Sequence, residues 1–359
     1  MYQALYRSFR PEVFDDLIGQ EHIVKILRNQ IKNGTVGHAY IFCGTRGTGK
    51  TTTARLLAKA LNCEADENSR PCGECEACRD IAAGNYMDVI EIDAASNNGV
   101  DNIRELREEV NYPPVSGRKK VYIIDEAHML STSASNAFLK TLEEPPEHVV
   151  FILATTEPEK LPSTILSRCL RLDFRRVSEE QIFERFKKIC KEVGVDAADD
   201  ALRLIAGNAD GSVRDGLSLL DRCISGTDKL TREDVLFLLG MTGTESCLKI
   251  SDSVIGGDAA KALIQLSELL ASGKDINQFM RDFLDHLRNL LLVKYLEKPE
   301  DVINLSLENI ARLKEQSQKF SLAELDRCIK LLSEAMAEAK YSPRPRVSVE
   351  LALVKMANK

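Results

Sequence analysis

Eight consecutive residues, Gly44-Thr45-Arg46-Gly47-Thr48-Gly49-Lys50-Thr51, have the types and spacing to hold a phosphate chain. Glycines let the backbone curl until several amide N–H groups face one anion. The apolar run Tyr40-Ile41-Phe42-Cys43 precedes the loop, and a helical pattern over 52–61 follows it. The helix N-terminus therefore adds its partial positive charge to the same point. In that setting Lys50 reaches the β and γ phosphates of a nucleotide, and the Thr51 hydroxyl ligates Mg²⁺. A chance glycine-rich turn is the bland alternative, but it would not need a strand before it and a helix after it.

A second apolar run, Val121-Tyr122-Ile123-Ile124, ends in Asp125-Glu126. Asp125 is placed to hold Mg²⁺ through water and Glu126 to polarise an attacking water. Two solvated acids after a strand are common, but here they follow a phosphate loop at ordinary domain distance. A base for water separates this pattern from small-molecule kinases, which need none. A third run, 149–154, ends in Thr155-Thr156, where a hydroxyl can sense the terminal phosphate. A threonine closing a strand is also simply β-compatible. Arg168, in Ser167-Arg168-Cys169, lies far in sequence from the loop and at the domain edge. From there it can reach a nucleotide held by an adjacent subunit. Arg214, at the start of a helix capped by Ser212, could swing onto the nucleotide and couple its presence to a domain angle. For Arg168 alone, a solvated surface ion pair is the plainer reading. For Arg214 the alternative is an ordinary arginine in a capped first turn, and the spacing alone does not decide.

Cys63, Cys72, Cys75 and Cys78 are spaced C-x8-C-x2-C-x2-C. Four thiolates complete a tetrahedral Zn²⁺ shell with no open position, so the site would be structural. An iron–sulfur cluster uses four thiolates as well. Glu64, Glu74 and Glu76 would add negative charge around it, and nothing else suggests redox chemistry. The expected role is to fold an insertion over 63–78 as a protein-contact surface. Six other cysteines (Cys43, Cys169, Cys190, Cys223, Cys247, Cys328) are scattered and read as small buried hydrophobes.

The elements that must position these groups fall into three blocks. From residue 1 to 177, short apolar runs at 39–43, 89–92, 121–124, 149–154 and 170–174 alternate with helical stretches. This is the mark of an α/β domain with a covered parallel sheet. Ser178 with Gln181 forms a capping box, and the helix it opens stops at Gly194. Thr231 with Asp234 caps another helix, and nothing between them reads as a strand, so 178–241 is expected to be an all-helical lid. Gly240-Met241-Thr242-Gly243-Thr244 reads as a linker. Helical spacing at 259–272, 276–296, 305–320, 322–340 and 348–356 then fills a third domain, 243–359.

The chain has 359 residues, of which 44% are hydrophobic and 29% charged, with a net charge of −7. That charge disfavours whole-surface contact with nucleic acid but allows a local basic face. No apolar run approaches the roughly 20 residues needed to cross a bilayer. The first residues lack a basic-then-apolar secretory pattern, so a cytoplasmic location is expected.

Together these motifs resemble the AAA+ clamp loaders, and in particular the bacterial DNA polymerase III gamma/tau family. The opening Leu5-Tyr6-Arg7-Ser8-Phe9-Arg10-Pro11 with Phe14-Asp15-Asp16-Leu17-Ile18-Gly19-Gln20 is similar to theirs. So are Asp125-Glu126-Ala127-His128-Met129-Leu130, Leu139-Lys140-Thr141-Leu142-Glu143-Glu144-Pro145-Pro146 and Ala154-Thr155-Thr156-Glu157-Pro158. Ile90-Glu91-Ile92-Asp93-Ala94-Ala95-Ser96 and Ser167-Arg168-Cys169 complete the set. The resemblance covers residues 1 to about 240 closely and the helical remainder less specifically. It implies an AAA+ ATP-binding domain, a helical lid and a collar through which five subunits assemble. Gly44, Thr45, Arg46, Gly47, Thr48, Gly49, Lys50, Thr51 and Thr52 would hold ATP, with Thr51 and Asp125 on Mg²⁺ and Glu126 as the catalytic carboxylate. Thr155 would be sensor 1, Arg168 the finger acting in trans and Arg214 sensor 2. Ala4, Leu5, Arg7, Arg10, Pro11 and Ile18 would cradle adenine, and the four cysteines would bind Zn²⁺.

Such a motor loads a sliding clamp onto primer–template DNA together with delta, delta-prime and further gamma/tau copies. Long forms carry a C-terminal extension that binds the polymerase core and the helicase. This chain ends at Lys359, so those two contacts are expected only of a longer form. The delta-prime stator shares the cysteines and the Ser-Arg-Cys motif, but it is not expected to keep a complete phosphate loop. A branch-migration motor would lack the cysteines. No constellation for nucleotide addition is visible, so any polymerase label would belong to the assembly.

Overall fold

The computed structural model describes residues 3–97, 99–238, 244–299, 302–303 and 307–358. It divides into two compact units, Met1–Leu230 and Thr231–Lys359. Most of the linker pattern, residues 240–243, lies outside the described residues, as does Leu239.

In the first unit, strands β1 (Ala39–Cys43), β2 (Val89–Asp93), β3 (Lys120–Asp125), β4 (Val149–Thr155) and β5 (Leu170–Asp173) form one sheet. Their order is β2-β3-β4-β1-β5, and every pairing is parallel. The helices are α1 (Leu5–Ser8), α2 (Glu21–Lys32), α3 (Lys50–Asn62), α4 (Glu76–Ala83), α5 (Val100–Glu109), α6 (Thr132–Glu143) and α7 (Ser163–Leu166). After the sheet come α8 (Glu179–Val193), α9 (Asp199–Asn208) and α10 (Val213–Ile224).

Alternation along the central strands builds two cores. Tyr40, Phe42, Val121, Ile123, Val150 and Ile152 face one side with Leu27 and Leu57. Ile41, Tyr122, Ile124, Phe151 and Leu153 face the other with Phe138 and Ile103. Because both faces are covered, β1, the middle of β3 and β4 are buried throughout, which is why they read as continuous apolar runs. Edge strand β2 is only half-buried, and it alternates Ile with Glu91 and Asp93.

The capping box at Ser178 and Gln181 is formed, and Gly194 ends α8 in a left-handed conformation. The expectation of no strand between 178 and 231 needs correcting. Asp196–Ala197 (β6) and Lys229–Leu230 (β7) pair in parallel. Two residues each are too short to show a period, so nothing in the sequence marks them.

The second unit is helical: α11 (Arg232–Leu238), α12 (Thr244–Ile255), α13 (Ala259–Ala271), α14 (Ile276–Tyr295), α15 (Leu307–Gln318), α16 (Leu322–Ala339) and α17 (Pro345–Ala357). Helix α12 was not foreseen, and Thr244 belongs to it rather than to a linker. Helix α17 begins at Pro345, ahead of the helical spacing expected over 348–356, since proline's missing N–H costs nothing in a first turn. One core gathers α12 to α17 around Phe279, Phe283, Leu313, Leu332 and Leu353. Buried His286 meets the Gln316 side-chain oxygen at 2.8 Å, and Gln316 donates to the Leu248 carbonyl. Among the described residues no helix is long and apolar enough to cross a membrane.

Candidate functional site

The loop between β1 and α3 sits at the carboxyl edge of the sheet, where strand order reverses between β4, β1 and β5. That edge is where open parallel sheets take their ligands. Two loop glycines are required by close approach. A Cβ on Gly44 (φ +152°) would stand 2.6 Å from the Phe174 carbonyl oxygen. One on Gly47 (φ +76°) would stand 1.9 Å from Ser212 Oγ. The Val213 N–H donates to the Gly47 carbonyl at 3.1 Å, so the N-terminus of α10 rests directly on the loop.

Lys50 is buried, and its ammonium donates to the carbonyls of Gly44 (2.8 Å) and Thr45 (2.9 Å). Burial lowers its pKa, while the nearby carboxylates of Glu126 and Asp125 oppose that shift. Thr51 Oγ1 donates to Asp125 Oδ2 at 2.9 Å, which brings the two expected Mg²⁺ holders into contact across 74 residues. A hydroxyl and a carboxylate form an oxygen set suited to a hard cation that keeps several waters. Glu126 takes a left-handed backbone (φ 47°, ψ 46°), rare for a residue with a side chain.

One cavity is lined by Arg46, Gly47, Thr48, Gly49, Lys50, Thr51 and Thr52, by Asp125 and Glu126, and by Arg214. Of the residues expected at adenine, Arg10, Pro11 and Ile18 line it, and Ala4, Leu5 and Arg7 do not. Leu5 is instead buried, with its N–H toward Asp221. The apolar wall comes also from Tyr6, Phe9, Leu17, Val213 and Leu217, and Arg185 from α8 joins it. Sequence reading missed these. Tyr6 and Phe9, three apart before Pro11, were a usable signal, but nothing distinguishes Arg185 from any other helical arginine. Arg214 lies 5.3 Å from the Tyr6 ring, a cation–π distance. Arg10 donates to Thr52 Oγ1, and its pKa is lowered by burial and then by Arg55.

Gly44, Thr45, Thr155 and Arg168 do not line this cavity. Thr155 is fully buried at the end of β4. Arg168 pairs with Glu143 at 2.6 Å and donates to the Thr164 carbonyl.

The sulfurs of Cys63, Cys72, Cys75 and Cys78 all lie within 4.8 Å of one another, and those of Cys63 and Cys75 are 3.9 Å apart. Zn–S bonds of about 2.3 Å in a tetrahedron place sulfurs about 3.8 Å apart, so the set fits this ion. Cys72 Sγ accepts N–H bonds from Cys75 and Glu74, which push its thiol down to about 7. Cys63 Sγ accepts one from the Cys72 N–H. Main-chain donors that favour thiolate are the outer support a metal site needs.

A parallel sheet with a phosphate loop after its first strand, a carboxylate pair at the end of its third and a helical lid makes this an AAA+ fold. A variant of Thermotoga maritima RuvB matches it with a TM-score of 0.50 over 69% of this chain and 80% of that one, at 20% identity. Residues 19–178 match the family model described as DNA polymerase III, delta subunit. Residues 181–229 match the DNA polymerase III clamp loader subunit ATPase lid domain, and 230–359 match domain III of DNA polymerase III subunits gamma and tau. DNA polymerase III subunit gamma of Buchnera aphidicola is 38% identical, over 99% of this chain and 98% of its own length. Subunit tau of Bacillus subtilis is 46% identical and that of Escherichia coli 40%, each over 99% of this chain. The chain spans 63% and 55% of those two proteins. It belongs to the DNA polymerase III gamma/tau family.

Proposed function

We propose that this chain is an ATP-hydrolysing motor subunit of a bacterial clamp loader. The observation that carries the reading is the convergence of Lys50, Thr51, Asp125, Glu126 and Arg214 on one cavity with an apolar wall. Loop N–H groups and Lys50 bind the phosphates of ATP, and the wall from Tyr6 to Ile18 with Leu217 takes the base. Thr51 and Asp125 would hold Mg²⁺, which when bound neutralises phosphate charge. Glu126 orients a water and takes its proton as the water oxygen bonds to the γ phosphorus. The bond from that phosphorus to the β–γ bridging oxygen breaks, giving ADP and phosphate. Arg168 acts on the nucleotide of a neighbouring subunit, leaving Glu143 to do so.

Because α10 rests on Gly47 and carries Arg214, nucleotide in the loop sets the lid angle. The motion serves to close a spiral of subunits, open a sliding clamp and release it on primer–template DNA. Partners are delta, delta-prime and further gamma/tau copies, gathered through the second unit as a collar. The four cysteines hold structural Zn²⁺. This role places the protein in the cytoplasm. The delta-subunit model match is the observation on the side of a stator reading, but the complete loop and the Thr51–Asp125 contact weigh against it.

The test is ATP turnover of the chain alone and with delta, delta-prime, clamp and primed DNA. Weak turnover alone and strong stimulation in the full set is expected. Equal turnover in every condition counts against clamp loading.

A further inference from the structure

We propose that His128 is a positioning residue for Glu126, tying the water-activating carboxylate to the turn that follows β4. The inference rests on the hydrolytic reading of the cavity.

Glu126 occupies a left-handed backbone just after β3, and its side chain is one-third exposed, so packing alone does not fix its direction. Two groups stand at the same oxygen, Thr156 as a hydrogen-bond donor and the His128 imidazole beside it. Thr156 Oγ1 donates to Glu126 Oε2 at 3.2 Å, and His128 Nδ1 lies 3.4 Å from that oxygen. Oε1 is the oxygen without a partner among the described residues. It is therefore the atom left to meet a water.

His128 is itself over-determined. Its side chain is 7% exposed, Nδ1 is 3.1 Å from Thr155 Oγ1, and Nε2 is 3.4 Å from Glu157 Oε1. Thr155 Oγ1 also accepts the Glu157 N–H at 3.1 Å. The other oxygen of Glu157 pairs with Lys160 at 2.7 Å, and Lys160 lowers the Glu157 pKa chiefly through that hydrogen bond. The imidazole thus stands between two carboxylates, one beside the reacting centre and one anchored outside it. Rotating Glu126 away from water costs the Nδ1 contact, and moving the 156–160 turn pulls on both Glu126 and His128. A base must lie within hydrogen-bond reach of the proton it takes, and a misplacement of about 1 Å can cost about a hundredfold in rate.

The test compares His128→Ala, His128→Asn and Glu157→Gln by kcat, KM and ATP binding in the assembled clamp loader with clamp and primed DNA. His128→Ala should lower kcat about thirtyfold, with KM and ATP affinity within about twofold. Asn places an amide where Nδ1 lies and should recover kcat to within about fivefold of the parent. Glu157→Gln, on a partly exposed side chain, should lower kcat about fivefold and remains informative where His128→Ala does not fold. An unchanged kcat in both His128→Ala and Glu157→Gln overturns the proposal, as does a parallel loss of ATP binding. Lys50→Ala is run beside them: if it too keeps full turnover, the hydrolytic reading of the cavity fails rather than the role of His128.

Discussion

The phosphate loop and the cysteine cluster, both in the first unit, are built on opposite plans. The cavity draws side chains from Tyr6 to Leu217, held by five parallel strands and by a lid helix lying on the loop. The cysteine cluster draws everything from sixteen residues, 63 to 78, with its N–H donors inside the same stretch. A site assembled from distant segments reports on how those segments move, which suits a motor. A site assembled locally holds its own shape and suits a scaffold.

The contrast can be broken most sharply at Lys50. Lys50→Ala removes the cation from the loop and should reduce turnover of the assembled complex by more than about a thousandfold in a steady-state phosphate-release assay. Arg168→Ala should cost roughly a hundredfold in the same assay while leaving ATP affinity of the isolated chain unchanged, since Arg168 lies outside its own cavity. Gly47→Ala tests the lid contact. The added methyl meets Ser212 Oγ and demands a left-handed backbone, so the loop and α10 must part. ATP affinity measured by titration calorimetry should fall about tenfold. The smallest effect on turnover is expected from Cys72→Ser with Cys75→Ser. Zinc should fall from about one equivalent per chain to below half, while ATP affinity stays within about twofold. A matching loss of ATP binding would show that the two sites are not independent.

The two plans also differ in how far the sequence reveals them. Four cysteines spaced C-x8-C-x2-C-x2-C announce a metal-binding set, because thiolates two residues apart can wrap one ion. The loop, Asp125 and Glu126 were legible because strand and helix patterns flank them. The apolar wall was legible only in part. Arg10, Pro11 and Ile18 line the cavity, yet so do Tyr6, Phe9, Arg185 and Leu217, whose convergence depends on how α1, α8 and α10 pack. Five strands were visible as apolar runs because both sheet faces are covered. β6 and β7 were not, because two residues carry no period. Helix α12 was hidden because its Thr244 start abuts a glycine-bearing stretch that reads as a linker.

The most direct measurement is Glu126→Gln in the assembled complex, followed by ATP binding and single-turnover hydrolysis. ATP held at near-parental affinity with its γ phosphate uncleaved over many parental turnovers is the predicted result. Hydrolysis at the parental rate would contradict the assignment of Glu126 and, with it, the chemistry given to the cavity.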